Sequence, residues 1–196
     1  MRMIEARKSS YGLSNFPFTT VNEYESYCDS TYCAANFLID EALVHHNRDS
    51  VGDKTLLKLD HIAGHLGKAQ GLSNLVRGIV RNAQHGRCYA PSELLAKYKV
   101  SHQDFLRAKN MDKLRDVCFE IASLSHQHMA KAKELARDDS LKQYYPAFLP
   151  LISLERFLTK LRKNNFDLLK PTWGRNDPLL PITLLLKARL PRFFRL

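Results

Sequence analysis

The sequence predicts an all-α protein, and three observations support this. Apolar residues recur at spacings of three and four along most of the chain, which is the period of a helix. No segment alternates apolar and polar residues as a half-buried strand does. Eight glycines and eight prolines in 196 residues are few, so long uninterrupted helices are expected. This length and a hydrophobic content of 44% suffice for one helical domain with its own core.

The first half of the chain predicts two long helices. One begins at Thr20, where Glu23 follows at the spacing of a capping box, and continues to about His46. Residues 47–53 (NRDSVGD) predict a loop, and the second helix extends from about Lys54 to His85. Three glycines of the second helix recur at spacings of three and four and therefore share one side: Gly64, Gly67 and Gly71. Because each glycine costs a helix about 1 kcal/mol, we expect this side to pack closely against a neighbouring helix.

The second half of the chain predicts shorter helices separated by loops. The helices, with approximate limits, are Pro91–Tyr98, one that begins at Ser101 with Asp104 at capping-box spacing, Asp112–Arg137, Ala147–Lys163 and Leu179–Leu190. Residues 139–146 predict a loop, and residues 171–178 predict a turn region. The helix from Ala147 carries its apolar residues on one face, so we expect that face to border the core.

The net charge of +10 and the isoelectric point near 9.5 allow an anionic lipid, a nucleic acid or an acidic protein as partner. The 30 lysines and arginines are spread along the chain without a block of five, and no RNA-binding aromatic motif is present. Nucleic acid is therefore not expected as a partner. A basic protein of the mitochondrial matrix is consistent with this charge.

The C-terminal segment LLPITLLLKARLPRFFRL joins an apolar run to four basic residues, Lys187, Arg189, Arg192 and Arg195. The apolar run is too short to span a bilayer. Two interpretations remain open for it. The segment either lies at the surface of an anionic membrane or forms a core helix whose basic end is solvated.

The cysteines do not form a disulfide framework or a CxxC motif, because Cys28, Cys33, Cys88 and Cys118 are few and irregularly spaced. We expect reduced, mostly buried thiols in an intracellular compartment. The N-terminal segment MRMIEARKSS has the basic residues and serines of a mitochondrial transit peptide, but Glu5 interrupts the pattern.

Several spacings are compatible with catalysis or metal binding. His61 and His65 are four apart on a predicted helix, but no third ligand lies nearby in the sequence, which favours a structural or hydrogen-bonding role. Two aspartate pairs have the spacing DxxxD, namely Asp49/Asp53 and Asp112/Asp116. The first pair lies in a predicted loop, and basic residues crowd the second, so neither predicts a catalytic carboxylate pair.

Arg77 and Arg81 share a face near the end of the long second helix. Such a pair is suited to holding a phosphate group, because guanidinium groups bind phosphate oxygens in pairs. The alternative is a basic face that is simply solvated, and it is the preferred interpretation.

The sequence around these arginines resembles the squalene/phytoene synthase family. LSNLVR (Leu72–Arg77) followed by HGRCYAP (His85–Pro91) is similar to the family's second aspartate-rich motif. The resemblance implies that carboxylates at the motif's ligand positions would bind Mg²⁺ and, through it, a prenyl diphosphate. Gly78, Arg81 and Asn82 occupy these positions here, and none of them supplies the carboxylate oxygens that Mg²⁺ requires. We therefore expect no catalytic residues, no metal and no cofactor.

The resemblance further implies an isoprenoid-synthase-like helical bundle. Residues 23–196 correspond to the family domain, and residues 1–22 form a poorly matching N-terminal segment. The family's first aspartate-rich motif has no counterpart, so we expect the bundle to be incomplete at its N-terminal side.

Within the family, the stretch DHIAGHLGKAQG (Asp60–Gly71) is most similar to a branch of mitochondrial complex I assembly factors. This resemblance implies a non-catalytic assembly role, with complex I subunits or other assembly factors as partners. It also implies a peripheral position on the matrix side of the inner mitochondrial membrane. Two alternatives remain open. One is an active prenyltransferase. The other is a protein that binds a prenyl diphosphate or another lipid, with head-group contacts from Arg77, Arg81, Arg87 and Tyr89.

Overall fold

The computed structural model describes residues 2–12, 17–47, 51–107, 111–168 and 177–189, and this part of the chain contains helices and no strand. The prediction of an all-α protein is confirmed. The α-helices are α1 (Arg2–Gly12), α2 (Val21–Cys28), α3 (Ala34–Asn47), α4 (Asp53–Gln84), α5 (Ser92–Lys97), α6 (His102–Leu106), α7 (Met111–Leu135), α8 (Tyr145–Phe148), α9 (Pro150–Lys163) and α10 (Leu180–Arg189). A π-helical turn (Asp29–Cys33) joins α2 to α3, and a 3-10 helix (Asp139–Tyr144) precedes α8.

The 32-residue helix α4 lies at the centre of the bundle. It packs antiparallel to α7, because Lys58 near its start pairs with Asp138 at 2.5 Å and Ser73 contacts Ser125 at 2.8 Å. Its opposite side packs against α2, the π turn and α3. Buried side chains occur along nearly its whole length, since neighbouring helices cover more than one of its faces.

The rod formed by α2, the π turn and α3 begins at the predicted capping box. The Thr20 hydroxyl accepts a hydrogen bond from the Glu23 amide at 3.1 Å, and the Glu23 carboxylate accepts the Thr20 amide at 3.4 Å. The π turn was not predicted. It brings Cys28 and Cys33, five residues apart, onto the face that contacts α4, and both are fully buried.

The predicted close contact on the glycine side of α4 is confirmed at two of the three positions. Gly67 lies against Cys33, and Gly71 lies against Cys28, so that a Cβ atom at either position would collide with its neighbour. The prediction is wrong for Gly64, where a Cβ atom would meet no heavy atom within 4 Å.

Two predictions for the second half were wrong. Residues 139–146 are not a loop, because the Asp138 carboxylate accepts a hydrogen bond from the Ser140 amide at 2.9 Å and starts the 3-10 helix. The predicted single helix from Ala147 to Lys163 is divided at Leu149, and α9 starts at Pro150, which has no N–H to donate. Residues 48–50 of the first predicted loop and residues 171–176 of the predicted turn region lie outside the described residues.

Helix α10 lies on the surface and buries none of its side chains. Arg156 of α9 holds it by donating to Asp177 at 2.5 Å and to the Thr183 hydroxyl at 2.6 Å. The interpretation of this segment as a core helix is therefore wrong for residues 180–189, and residues 190–196 lie outside the description. Within the described residues, no helix combines the length and the apolar character needed to cross a membrane.

Candidate functional site

The positions predicted from the motif to correspond to metal ligands, Gly78, Arg81 and Asn82, lie in the last two turns of α4. Arg81 is exposed, whereas Gly78 and Asn82 are partly buried. The Asn82 amide lies beside Gly78, since a Cβ atom at Gly78 would approach Asn82 Nδ2 to 2.9 Å. One amide and one guanidinium are a poor donor set for Mg²⁺, which prefers carboxylate oxygens. In the described part of the chain, no cluster of three or more His, Cys, Asp or Glu side chains is arranged to hold a metal ion.

The end of α4 reverses the chain so that the second part of the motif returns towards the bundle. Gly86 adopts a φ of +69°, in the left-handed region that favours glycine. The amides of Gly86 and Arg87 donate to the carbonyls of Ala83 and Asn82, each at 2.9 Å, which is the pattern of a Schellman cap. The Arg87 guanidinium then lies 3.5 Å from the Tyr89 hydroxyl.

Arg77 belongs to a polar cluster that joins three helical segments. Its guanidinium donates to the Asn74 side chain at 2.6 Å, and the Asn74 side chain also hydrogen bonds with Tyr32 of the π turn. Burial raises the pKa of Tyr32, while the Asn74 hydrogen bond and the positive charges of Arg7 and Arg77 oppose that increase. The sequence identified Asn74 and Arg77 from the motif. It gave no indication that Tyr32 and Arg7 lie beside them.

A second polar cluster connects α2, α4 and α7 in the partly buried interior. The Glu25 carboxylate accepts Lys68 Nζ at 3.2 Å and His128 Nε2 at 3.2 Å. Lys68 also pairs with Asp29 at 3.6 Å, and His128 Nδ1 lies 3.0 Å from His65 Nδ1. Because a carboxylate only accepts, His128 Nε2 carries a proton, and a neutral His128 accepts at Nδ1 from His65. We call these five side chains the Glu25 network.

The Glu25 network shifts the pKa values of Lys68 and His65. Burial lowers the pKa of Lys68, but its hydrogen bond to the Glu25 carboxylate and the charge of Asp29 outweigh burial, so the pKa is raised and Lys68 stays protonated. Burial, then the neighbouring His128 and Lys68, lower the pKa of His65 and favour its neutral form. The network therefore connects α2, α4 and α7 through one partly buried cation and its carboxylate partners.

The thiols nearest to this network are not poised for nucleophilic chemistry. Burial, followed by the charge of Asp29, raises the pKa of Cys33 to about 12, and burial raises that of Cys28 further. Cys33 Sγ lies 3.4 Å from Asp29 Oδ1 and 3.2 Å from the Gly64 carbonyl, so its proton is held in hydrogen bonds.

The two histidines of the HxxxH spacing, His61 and His65, have different surroundings in the structure. His65 bonds with His128 of α7, as the hydrogen-bonding interpretation predicted, while His61 is exposed. Glu25 and Asp29 were missed in the sequence. Their spacing of four places them on one side of a predicted helix, but no pattern in the sequence places that side against Lys68.

Comparison with known proteins agrees with this architecture. The squalene/phytoene synthase family model matches residues 1–181. A crystal structure of the squalene synthase HpnC from Alicyclobacillus acidocaldarius superposes with a TM-score of 0.68 at 17% identity, covering 85% of this chain and 59% of that one. The predicted isoprenoid-synthase-like fold is confirmed by this similarity.

Curated relatives are more similar in sequence. NADH dehydrogenase (ubiquinone) complex I, assembly factor 6 from Homo sapiens is 32% identical over 189 residues, which is 96% of this chain and 53% of the relative. The homolog from Drosophila melanogaster is 34% identical over 178 residues, covering 90% of this chain and 50% of that protein. The chain thus spans about half the length of these relatives. From the motif, the fold and these matches together, the chain belongs to the squalene/phytoene synthase family.

Proposed function

We propose that this chain is a non-catalytic assembly factor for mitochondrial respiratory complex I, working with complex I subunits or other assembly factors. The observation that carries the proposal is the similarity to complex I assembly factor 6 proteins, which extends over 96–98% of the chain in three mammals. The donor set at Gly78, Arg81 and Asn82 supports the non-catalytic part, because it replaces the carboxylates through which a prenyltransferase would hold Mg²⁺.

We further propose that the chain binds peripherally to the matrix side of the inner mitochondrial membrane through α10. The helix exposes a row of large apolar side chains, with exposed fractions of 45–63%: Leu179, Ile182, Leu185 and Leu186. Lys187 and Arg189 follow in its last turn. An exposed apolar helix with basic residues at one end suits the head-group region of an anionic bilayer.

Rescue of complex I assembly tests the assembly role. The chain, fused to a matrix-targeting presequence, is expressed in human cells that lack assembly factor 6, and assembled complex I is measured on native gels together with rotenone-sensitive NADH oxidation. We expect both to recover. Leu72→Asp, which places a charge at a residue only 1% exposed, serves as an unfolded control without rescue. Failure of the folded, imported chain to restore either readout would contradict the proposal.

The polar cluster around Arg77 favours a second candidate function, binding of a phosphate-bearing lipid. Arg77, Asn74 and Tyr32 form one connected group at the motif, with Arg7 close enough to act on Tyr32. In this proposal the head group contacts Arg77 and Arg81, with Arg87 and Tyr89 at the end of the motif. Lipid extracted from the purified chain and identified by mass spectrometry tests it. We expect a phospholipid or prenyl phosphate that Arg77→Gln loses, and an extract without one contradicts it.

A further inference from the structure

A small surface pocket lies where α3 meets α4 and α8, far along the rod from the Arg77 cluster. It is a shallow depression that is open to solvent, not an enclosed cavity. Its walls are Asn36, Ile39 and Asp40 of α3, Ile62, Ala63 and Leu66 of α4, and Ala147 and Phe148 of α8. We call it the Asp40 pocket, because Asp40 is its only carboxylate.

Asp40 is largely buried, but its carboxylate keeps some contact with solvent. It is 6% exposed, yet it makes no hydrogen bond or ion pair with any residue in the described ranges. Its polar neighbour Asn36 is directed elsewhere, because its amide donates to Gln70 at 2.9 Å and to the Ala63 carbonyl at 3.5 Å. Burial, followed by the negative charge of Asp60, raises the pKa of Asp40 to about 7. A cation placed at the carboxylate would relieve both effects.

The surface beside the pocket is apolar. Phe37, Leu38 and Ile39 are consecutive residues of α3 with exposed fractions of 38%, 59% and 45%. Phe37 precedes Asp40 by three residues and therefore lies beside it on the helix, while Ile39 forms part of the pocket wall. A partner that covers these side chains would also remove the pocket from water.

The charges around the pocket indicate whether the partner segment is acidic or basic. The chain carries a net charge of +10, but the groups at this place are acids, with Glu41 exposed next to Asp40 and Asp60 on the facing helix. A basic segment is repelled by the molecule as a whole and attracted here, so the position of docking is well defined. Pairing of this surface with the same surface of a second copy would instead oppose acid to acid.

We propose that the Asp40 pocket and the exposed residues Phe37 and Ile39 beside it dock a partner protein segment in which one arginine or lysine is flanked by apolar residues. The basic head group pairs with Asp40, and its alkyl stem covers Ile39 and Ile62. The flanking apolar residues of the partner cover Phe37 and Ile39. This proposal is independent of the proposed assembly role, because any protein segment with this chemistry could bind here.

Peptide display on the full chain tests the proposal. Random 12-residue peptides displayed on phage are selected on the immobilised wild-type chain and depleted on Asp40→Asn. We expect the enriched sequences to carry arginine or lysine between apolar residues. A selection that enriches nothing after depletion, or that enriches sequences without a basic residue, overturns the proposal.

The best peptide is then synthesised with arginine and with its neutral isostere citrulline, and binding is measured by fluorescence anisotropy. We expect the arginine peptide to bind wild type at least tenfold more tightly than the citrulline peptide, and Asp40→Asn to abolish that difference. Asp112→Asn removes an exposed acid on α7, outside the pocket, and should change the affinity less than twofold. If both variants lose the same amount of affinity, the peptide is attracted by the overall charge of the chain and not by Asp40. That result would overturn the proposal.

Sedimentation velocity tests whether a second copy of the chain binds to this surface. We expect the wild-type chain and Asp40→Asn to sediment alike. A wild-type dimer that Asp40→Asn dissociates would assign the surface to self-association and overturn the partner proposal.

Discussion

At the residue scale, the glycines of α4 give a matched pair of substitutions. A Cβ atom at Gly67 would lie 2.5 Å from Cys33 Sγ and 2.6 Å from its Cα and N atoms, and backbone cannot move aside cheaply. We expect Gly67→Ala to lower the free energy of unfolding by about 1–3 kcal/mol. Gly64→Ala meets nothing within 4 Å and should be neutral or raise it by up to about 1 kcal/mol through helix propensity. Urea denaturation of both variants checks this, and equal effects would contradict it.

Asp40 gives a pH-dependent prediction. Its pKa rises from an ordinary 3.8 to about 7 on folding, so between these values the folded chain binds the proton more tightly than the unfolded chain. The free energy of unfolding therefore falls as the pH rises from 4 to 7, and the full penalty is present above pH 7. We expect Asp40→Asn to raise the free energy of unfolding at pH 8 by on the order of 2–4 kcal/mol, and by much less at pH 4.5.

Urea denaturation at the two pH values measures this difference. Glu41→Gln, at an exposed neighbouring position, should show no comparable gain at either pH. A gain from Asp40→Asn that is the same at pH 4.5 and pH 8 would mean that the substitution acts through packing instead of through charge.

Residue contacts could be predicted from the sequence only where they are local. The capping box of Thr20 and Glu23 spans three residues and was predicted from its pattern. The Glu25 network was not, because Glu25 meets Lys68 and His128 across 43 and 103 residues. Spacing patterns in the sequence cannot predict contacts between residues so far apart along the chain.

At the element scale, the boundaries of long helices were predicted within one or two residues, because their signals lie in the chain itself. Helix α4 was expected over Lys54–His85 and occupies Asp53–Gln84. The 3-10 helix before α8 was missed because Leu141 and Tyr144 are buried by other parts of the chain. Burial of that kind overrides the turn-forming tendency of the residues around them.

Helix α10 carries a prediction about lipid. We expect the full chain to float with liposomes that contain an anionic lipid such as cardiolipin, and to be released by salt. Each basic residue at the surface contributes about 1 kcal/mol, so Arg189→Gln, Arg192→Gln and Arg195→Gln together should abolish flotation. Loss of the same charge from exposed residues outside α10 is the control and should leave binding largely intact: Lys113→Gln, Arg162→Gln and Lys163→Gln. If a chain cut after Leu186 floats as well as the full chain, the basic end of α10 and the residues after it are not the anchor.

At the scale of the whole molecule, the fold was more predictable than the site. The helical period and the motif around Arg77 were enough to predict an isoprenoid-synthase-like bundle. The Asp40 pocket was not predictable, since three helices build it and Asp40 has no motif of its own. The head-group contacts predicted at Arg77, Arg81, Arg87 and Tyr89 stay a prediction.

Absence of prenyl transfer is the whole-molecule prediction. With Gly78, Arg81 and Asn82 at the ligand positions, we expect the purified chain to form no product from farnesyl or geranylgeranyl diphosphate in the presence of Mg²⁺. Gas chromatography with mass detection of the extracted products measures this, with an active squalene synthase as positive control. Product that disappears when a chelator is added would restore the interpretation as an active prenyltransferase.

The π turn between α2 and α3 limits which sequence changes this protein can tolerate. The turn sets the rotational phase of α3 relative to α2, so that Glu25 reaches α7 while Asp40 reaches the pocket beside α8. Loss of one residue such as Ser30 would turn all of α3 by about 100° and carry Asp40 away from its pocket. Many substitutions can be absorbed here, but an insertion or deletion cannot. The length of this rod is therefore constrained more strictly than its composition.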